Sequence, residues 1–403
     1  MRLGTLLFGI WLSLVAIPDQ ARAFESDPAN AATEIERLGG EVLYRNGIAV
    51  GCDLNGIRFD DVAGADAALA RLAAFPDLES LSLRSVRLSA TGVASLKALK
   101  KLHTLDLTDS GASEEVLDAV AGLPSLRVLR LDRNYAVRDA TLNTLSTLAD
   151  LEELSLSGTD FNDAGLAQLA SFKKLRRLDA RFTQLSAGGL RALAGMRGLV
   201  ELRLDAGVTD ESARYLAGLT GLQTLDLRRA KLTSEGMRSL AGLTGLVELY
   251  IGGTYVGDSG LQALQRMTNL ERLSLDYSYV TDKGLPALRR LVKLKVLDLT
   301  DTRITNEGLA NIKGLVRLEE LSLRQTAVGD SGLTSLKDLT ELRKLDLQGT
   351  EITDSGVPLL ARLPKLKRLS VSFTSVSSIG LDDLHRALPA LRIGQIEDPV
   401  GGF

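Results

Sequence analysis

The chain is short of the residues from which catalytic and metal sites are commonly built. In 403 residues it has one cysteine, Cys52, one tryptophan, Trp11, and two histidines, His103 and His385. One thiol excludes an intramolecular disulfide. The histidines stand at opposite ends of the chain and cannot share a site. Cys52 replaces a core leucine and reads as a small buried hydrophobe. No metal-ligand cluster, phosphate-cradling glycine loop after a strand, or nucleophile–base pair is present. Acid pairs such as Asp298 and Asp301 recur along the chain and read as structural. No cofactor and no enzymatic activity are therefore expected. A net charge of −3 argues against a general binder of nucleic acid or anionic membrane. Aromatic residues make up only 4% against 45% hydrophobic, so the core must be aliphatic.

What is abundant is leucine, at a fixed period. Residues 294–317 read LKVLDLTDTRITNEGLANIKGLVR, or LxxLxLxxTxITxxGLxxLxxLxx once polar letters are masked. Thirteen copies begin at Leu78, Leu102, Leu126, Leu151, Leu175, Leu199, Leu222, Leu246, Leu270, Leu294, Leu318, Leu342 and Leu366. Leu297 and Leu299 alternate with polar residues, as in a strand; Leu309, Ile312 and Leu315 are spaced as on one face of a helix. Such a unit cannot bury its apolar side alone, but stacked copies can form one continuous core. A degenerate copy precedes Leu78, with Cys52 and Leu54 in the strand slots, Phe59 in the bend, and Leu69, Leu72 and Phe75 in the helical slots.

The flanks differ from the repeats. Residues 1–23 combine Arg2, an apolar run over 3–17, Pro18, and Ala21, Arg22 and Ala23, the pattern of a cleaved signal peptide. Residues 24–47 are expected to cap the open end of the core, with a helix over 31–38 and a strand over 41–44. Residues 48–396 form the solenoid and end on a partial strand. Residues 397–403 are a tail in which Glu397, Asp398 and Pro399 protect the last strand edge. After signal cleavage no transmembrane segment remains, and the protein is expected to be exported.

The ITDxGL stretch, seen at Ile352, Thr353, Asp354, Ser355, Gly356 and Val357, resembles the bacterial 24-residue class of leucine-rich repeats. That class is similar to the cysteine-containing F-box-type repeats, with Thr in place of Cys. The resemblance implies an α/β solenoid, a horseshoe with a concave parallel β-sheet and short helices on its convex side. It also implies protein or ligand contact through the concave face. The ninth position, commonly Asn in this family, is Thr in seven copies (Thr302 is one), where a hydroxyl bridging to the neighbouring turn is expected. Ser or Thr at the twelfth position, followed by an acid, is expected to cap the helix start.

Positions three, five, seven and eight of each copy should face outward. On that face Asp179, Arg181, Arg203, Asp205, Asp226 and Arg228 form a checkerboard of charge, read mainly as self-pairing across neighbouring strands. Acid and base nearly balance, so a nucleic-acid stripe is not expected. Tyr250 and Tyr277 are the conspicuous aromatics of the face. The candidate partner-binding set is Arg181, Phe182, Arg203, Arg228, Arg229, Tyr250, Asp276 and Tyr277, for a protein or peptide ligand. The alternatives are a structural envelope-associated protein without one tight partner, or a host-directed repeat effector.

Overall fold

Leucines at the first, fourth and sixth positions, together with the helical leucines, leave each repeat with one apolar side, and the fold buries it between neighbours. In the Leu294 repeat, Leu294, Leu297, Leu299, Ile304, Leu309, Ile312 and Leu315 all have no exposed surface. The computed structural model describes residues 27–57 and 61–396. The signal-like segment, Phe59 and the acidic tail lie outside the described residues.

Among the described residues, sixteen strands form a single sheet in chain order. From the third strand onward they are short and parallel. Leu273, Leu297 and Leu321 stand side by side in register, which keeps the leucine columns continuous. Short α- and 3-10 helices form the other layer, such as Asn306–Leu309 and Gly260–Arg266.

The N-terminal end is closed by helix Pro28–Arg37, whose start is capped by Asp27 and whose Ile35 is buried. The first strand, β1 (Glu41–Arg45), runs antiparallel to β2 (Ile48–Asp53). Asn46 and Gly47 join them, both at positive φ (53° and 78°), the geometry a two-residue hairpin turn demands. Cys52 lies beside Leu81 in the sheet and is buried, with its thiol pushed up to about 12 by desolvation and the neighbouring Asp53 charge. At the other end, helix Ser378–Ala387 and a two-residue strand, Arg392–Ile393, finish the stack.

Three local devices recur in the repeats, and two differ from the sequence expectation. The ninth-position threonines do not bridge turns. Thr302 Oγ1 donates to the Leu299 carbonyl of its own repeat at 2.6 Å, and Thr159, Thr183, Thr254, Thr326, Thr350 and Thr374 bond likewise. A hydroxyl is too short to reach further. Asn134, in the same slot, does bridge: its amide donates to the Leu107 carbonyl of the previous repeat, and its oxygen accepts the Ala112 N–H.

The acid after the twelfth position also acts across repeats. Thr305 Oγ1 caps its own helix through the Glu307 N–H, as expected. Asp282 of the preceding repeat accepts from both the backbone N–H and the hydroxyl of Thr305, at 2.8 and 2.6 Å. Asp163–Ser186, Asp210–Thr233, Asp258–Thr281, Asp330–Thr353 and Asp354–Ser377 repeat this bond pair. The glycine of the motif makes room for the carboxylate, because a Cβ on Gly308 would stand 2.2 Å from Asp282 Oδ1.

The third device is a left-handed residue at position eight. Ser85, Asp109, Arg133, Phe182, Arg229, Tyr277, Asp301, Gln325 and Phe373 occupy it at φ between 52° and 61°, and Gly158, Gly253 and Gly349 do so without strain. There the chain leaves the sheet while its N–H still pairs with the next repeat, as Tyr277 does with the Thr300 carbonyl. Side chains at this position project from the sheet edge, and Phe182, Tyr277 and Phe373 are among the exposed large hydrophobics.

Candidate functional site on the concave face

The fifth-position aspartates of the outer sheet face first serve the backbone. Asp106, Asp179, Asp226, Asp298 and Asp346 each accept the N–H two residues on, closing the turn that leads out of the strand. Where position five is serine, an acceptor in the preceding repeat can do this work. Asp132 takes both the Ser157 N–H and the Ser155 hydroxyl.

Asp205 has a related task. The Leu199 repeat is one residue short, so the Phe182 N–H meets the Asp205 carboxylate instead of a carbonyl. These acids were unrecognisable as turn-formers from charge alone. Their signal is the two-residue offset, or a one-repeat offset, to an N–H that must be satisfied.

The checkerboard is self-paired, but largely within a repeat and not across strands as the sequence suggested, because an arginine two residues from an acid on the same strand reaches it directly. Arg181 bonds Asp179 at 2.7 Å and reaches Asp226 at 3.4 Å. Arg228 bonds Asp226 at 2.7 Å, and Arg203 bonds Glu201 at 2.6 Å. Glu153 sits between Arg130 and Arg177, each at 2.7 Å. Burial works to raise its carboxyl, but the hydrogen bonds from Arg177 and Arg130 outweigh it and hold the group below its ordinary value. Burial raises Asp132, despite its two donors, with Asp179 and Asp106 adding repulsion.

Tyr250 is on the expected face but is not available there. It is only 9% exposed. Its hydroxyl lies 3.0 Å from a Glu248 oxygen, and the Arg228 guanidinium stands over its ring at 5.5 Å. Burial and the Glu248 charge push its phenol up to about 12. Asp276 is also buried and accepts the Ser274 hydroxyl. Tyr277 is 45% exposed and, like Arg229 two repeats before it, occupies the left-handed position eight. The eight candidate residues therefore divide: Tyr250, Asp276, Arg181 and Arg228 are built into the surface, Arg203 is half-exposed and paired with Glu201, and Phe182, Arg229 and Tyr277 stand exposed at position eight.

Further toward the N-terminus the concave side is hollowed. A hollow of about 690 Å³ is walled by Arg84, Asp132, Arg133, Tyr135, Arg181 and Phe182, with Thr108 and Asp179 also lining it. A neighbouring hollow of about 420 Å³ continues across Arg130, Glu153, Arg177, Glu201 and Arg203. Tyr135 is 69% and Phe182 53% exposed. Arg84 and Arg133 are exposed and, among the described residues, have no carboxylate partner. Thr108 is 7% exposed, and its hydroxyl has no hydrogen-bond partner. Sequence reasoning missed Tyr135, although it stands at the edge of the one-residue insertion in the Leu126 repeat, where the side chain is displaced from the regular pattern. No cluster of His, Cys, Asp or Glu among the described residues suits a metal ion, and no described helix is long and apolar enough to cross a membrane.

The Leucine Rich repeat family model matches residues 147–170, 219–241, 291–313 and 339–361. The CD180 antigen of Mus musculus is 31% identical over 130 residues, which is 31% of this chain and 19% of that protein. A putative adenylate cyclase regulatory protein of Trypanosoma equiperdum is 33% identical over 102 residues, 25% of this chain and 16% of its own length. The chain thus spans less than a fifth of the length of these curated relatives. Among solved structures, an internalin from Listeria monocytogenes superposes with a TM-score of 0.52 at 18% identity, covering 96% of this chain and 100% of its own. A leucine-rich-repeat protein of Leptospira interrogans gives 0.51 at 17%, covering 84% of this chain and 99% of its own. TLR13, solved in complex with ssRNA13, gives 0.52 at 20%, covering 80% of this chain and 47% of its own. At these identities the structural likeness concerns the fold. With matched repeats spread along the chain and one leucine-columned solenoid running through them, the chain is a leucine-rich-repeat protein.

Proposed function

We propose that the chain is an exported, non-enzymatic scaffold that binds a protein or peptide on its concave face. The observation that carries this reading is the hollow over the Leu78 to Leu175 repeats. Its rim offers what the fold itself does not use: the Arg84 and Arg133 guanidiniums, the Tyr135 and Phe182 rings, and the Thr108 hydroxyl. Arginine and aromatic side chains around a recess are the usual anchors of protein interfaces. Export rests on residues 1–23 and on the secreted or surface character that the pattern implies.

The contact centre moves accordingly from Tyr250 toward Phe182. Tyr277, on the same side, remains a secondary candidate. A native envelope extract passed over the immobilised protein, with the Arg84→Ala/Arg133→Ala/Phe182→Ala triple variant alongside, tests the reading. One dominant protein retained by the wild type and lost by the variant is the expected result. Equal retention by both, or capture of diffuse cell-wall material only, would remove the concave hollow as the site.

A further inference from the structure

The tenth position of each repeat lies on the flank of the solenoid, outside the concave sheet. Short parallel bridges run along this flank, among them Thr233↔Tyr255, Gly257↔Tyr279 and Thr281↔Arg303. Each pairs the twelfth residue of one repeat with the tenth of the next, so tenth positions recur along the flank with the repeat, at the ~4.8 Å spacing of paired strands. In four consecutive repeats these residues are Lys231, Tyr255, Tyr279 and Arg303. The Tyr255 and Tyr279 rings are stacked, with centroids 6.0 Å apart and planes 16° from parallel. Arg303 stands over Tyr279 at 5.7 Å from the ring centroid.

Tyr279 therefore has Tyr255 on one side and a guanidinium on the other. Its faces are used, and what the stack turns outward is ring edges, hydroxyls and cationic groups. Both tyrosines remain more than half exposed, at 57% and 51%, and neither hydroxyl has a partner among the described residues. Lys231 and Arg303 are exposed, and no described carboxylate lies within ion-pair distance of either. Elsewhere on this molecule basic side chains commonly stand beside an acid, as Lys295 does with Glu271 and Lys344 with Glu320. Ring edges are the positive rim of the aromatic quadrupole, and phenol O–H and guanidinium N–H groups are donors. Every outward group of this ledge thus seeks a negative, acceptor-rich counterpart.

We propose that this flank is a second docking surface, for an acidic segment of a protein partner. Carboxylates of the segment pair with Arg303 and Lys231 and accept from the Tyr255 and Tyr279 hydroxyls, while the stack holds the donors at fixed spacing. The surface is separate from the concave hollow, and the proposal stands independently of what that hollow binds.

The probe is a fluorescently labelled oligoglutamate peptide, with a labelled oligouridylate of equal charge as its comparator, both titrated by anisotropy. The expected result is saturable peptide binding that weakens about tenfold in Arg303→Ala and in Lys231→Ala. Tyr279→Phe keeps the stack and loses a donor, so it should weaken binding severalfold. Lys313→Ala, an exposed basic side chain outside both surfaces, should leave it unchanged. Thermal melts of the ledge variants should match the wild type, since all four side chains are on the surface. Peptide binding indifferent to the ledge variants overturns the proposal. Tighter oligouridylate binding through the same residues also overturns it, by assigning the ledge to nucleic acid.

Discussion

Thr302 and Asn134 occupy the same slot, yet one bonds within its repeat and the other between repeats. Thr302→Ala removes one hydroxyl from one carbonyl, and about 1 kcal/mol is expected in urea melts. Asn134→Ala leaves the buried Ala112 N–H without its acceptor and takes a second donor from the Leu107 and Leu131 carbonyls, so a loss of about 2 kcal/mol or more is expected. Equal losses would mean that the bridge contributes nothing beyond a local bond. Asp132 makes a different test, of pH. Its carboxyl titrates above the ordinary value because it is buried, so folding favours its protonated form. The charged form costs stability above that raised value, and the cost vanishes as pH falls to the ordinary carboxylate range. Asp132→Asn keeps an oxygen for the Ser155 and Ser157 donors. It should therefore melt higher than the wild type at neutral pH, with the difference closing below about pH 4. A variant that melts lower at every pH would show that the charge itself is needed.

At the scale of the element, the leucine columns could be read from the period alone, because burial of Leu297, Leu299, Ile304 and Leu309 is set by spacing within one repeat. The turn acids were harder to read. Asp282 carries no mark in its own repeat of the work it does for Thr305, since its partners are a full repeat away. The cover over Tyr250 was hidden for the same reason: Arg228 is contributed by the repeat before. Sequence position gave the side to which Tyr250 points but not what its neighbours lay across it. The Asp–Thr–Gly staple can be tested from both sides. Gly308→Ala pushes a methyl against the Asp282 carboxylate, and Asp282→Ala strips two donors of their acceptor. Each should cost on the order of 1–3 kcal/mol. Because both act on one contact, the double variant should lose clearly less than the sum of the two. Simple additivity in denaturant melts would show that glycine is present for another reason.

On the scale of the whole molecule, every described repeat touches its neighbours and the sheet has no crossover, so stability accumulates locally along the axis. The export reading has a simple optical consequence. Trp11 is the only tryptophan, so protein recovered from its native compartment after cleavage should show tyrosine emission and no tryptophan band. A tryptophan band in that material would refute cleavage. The staple has a direction as well, because the acid always belongs to the earlier repeat and the hydroxyl to the later one. During synthesis from the N-terminus, each new repeat therefore leaves the ribosome to meet a carboxylate that is already in place. The finished part of the chain serves as a template for the part still being made. A chain released early ends on unused carboxylate acceptors, and also on strand N–H groups such as that of Tyr277, whose acceptor belongs to the repeat still to come. The direction of the staple and the direction of synthesis therefore run the same way along the axis.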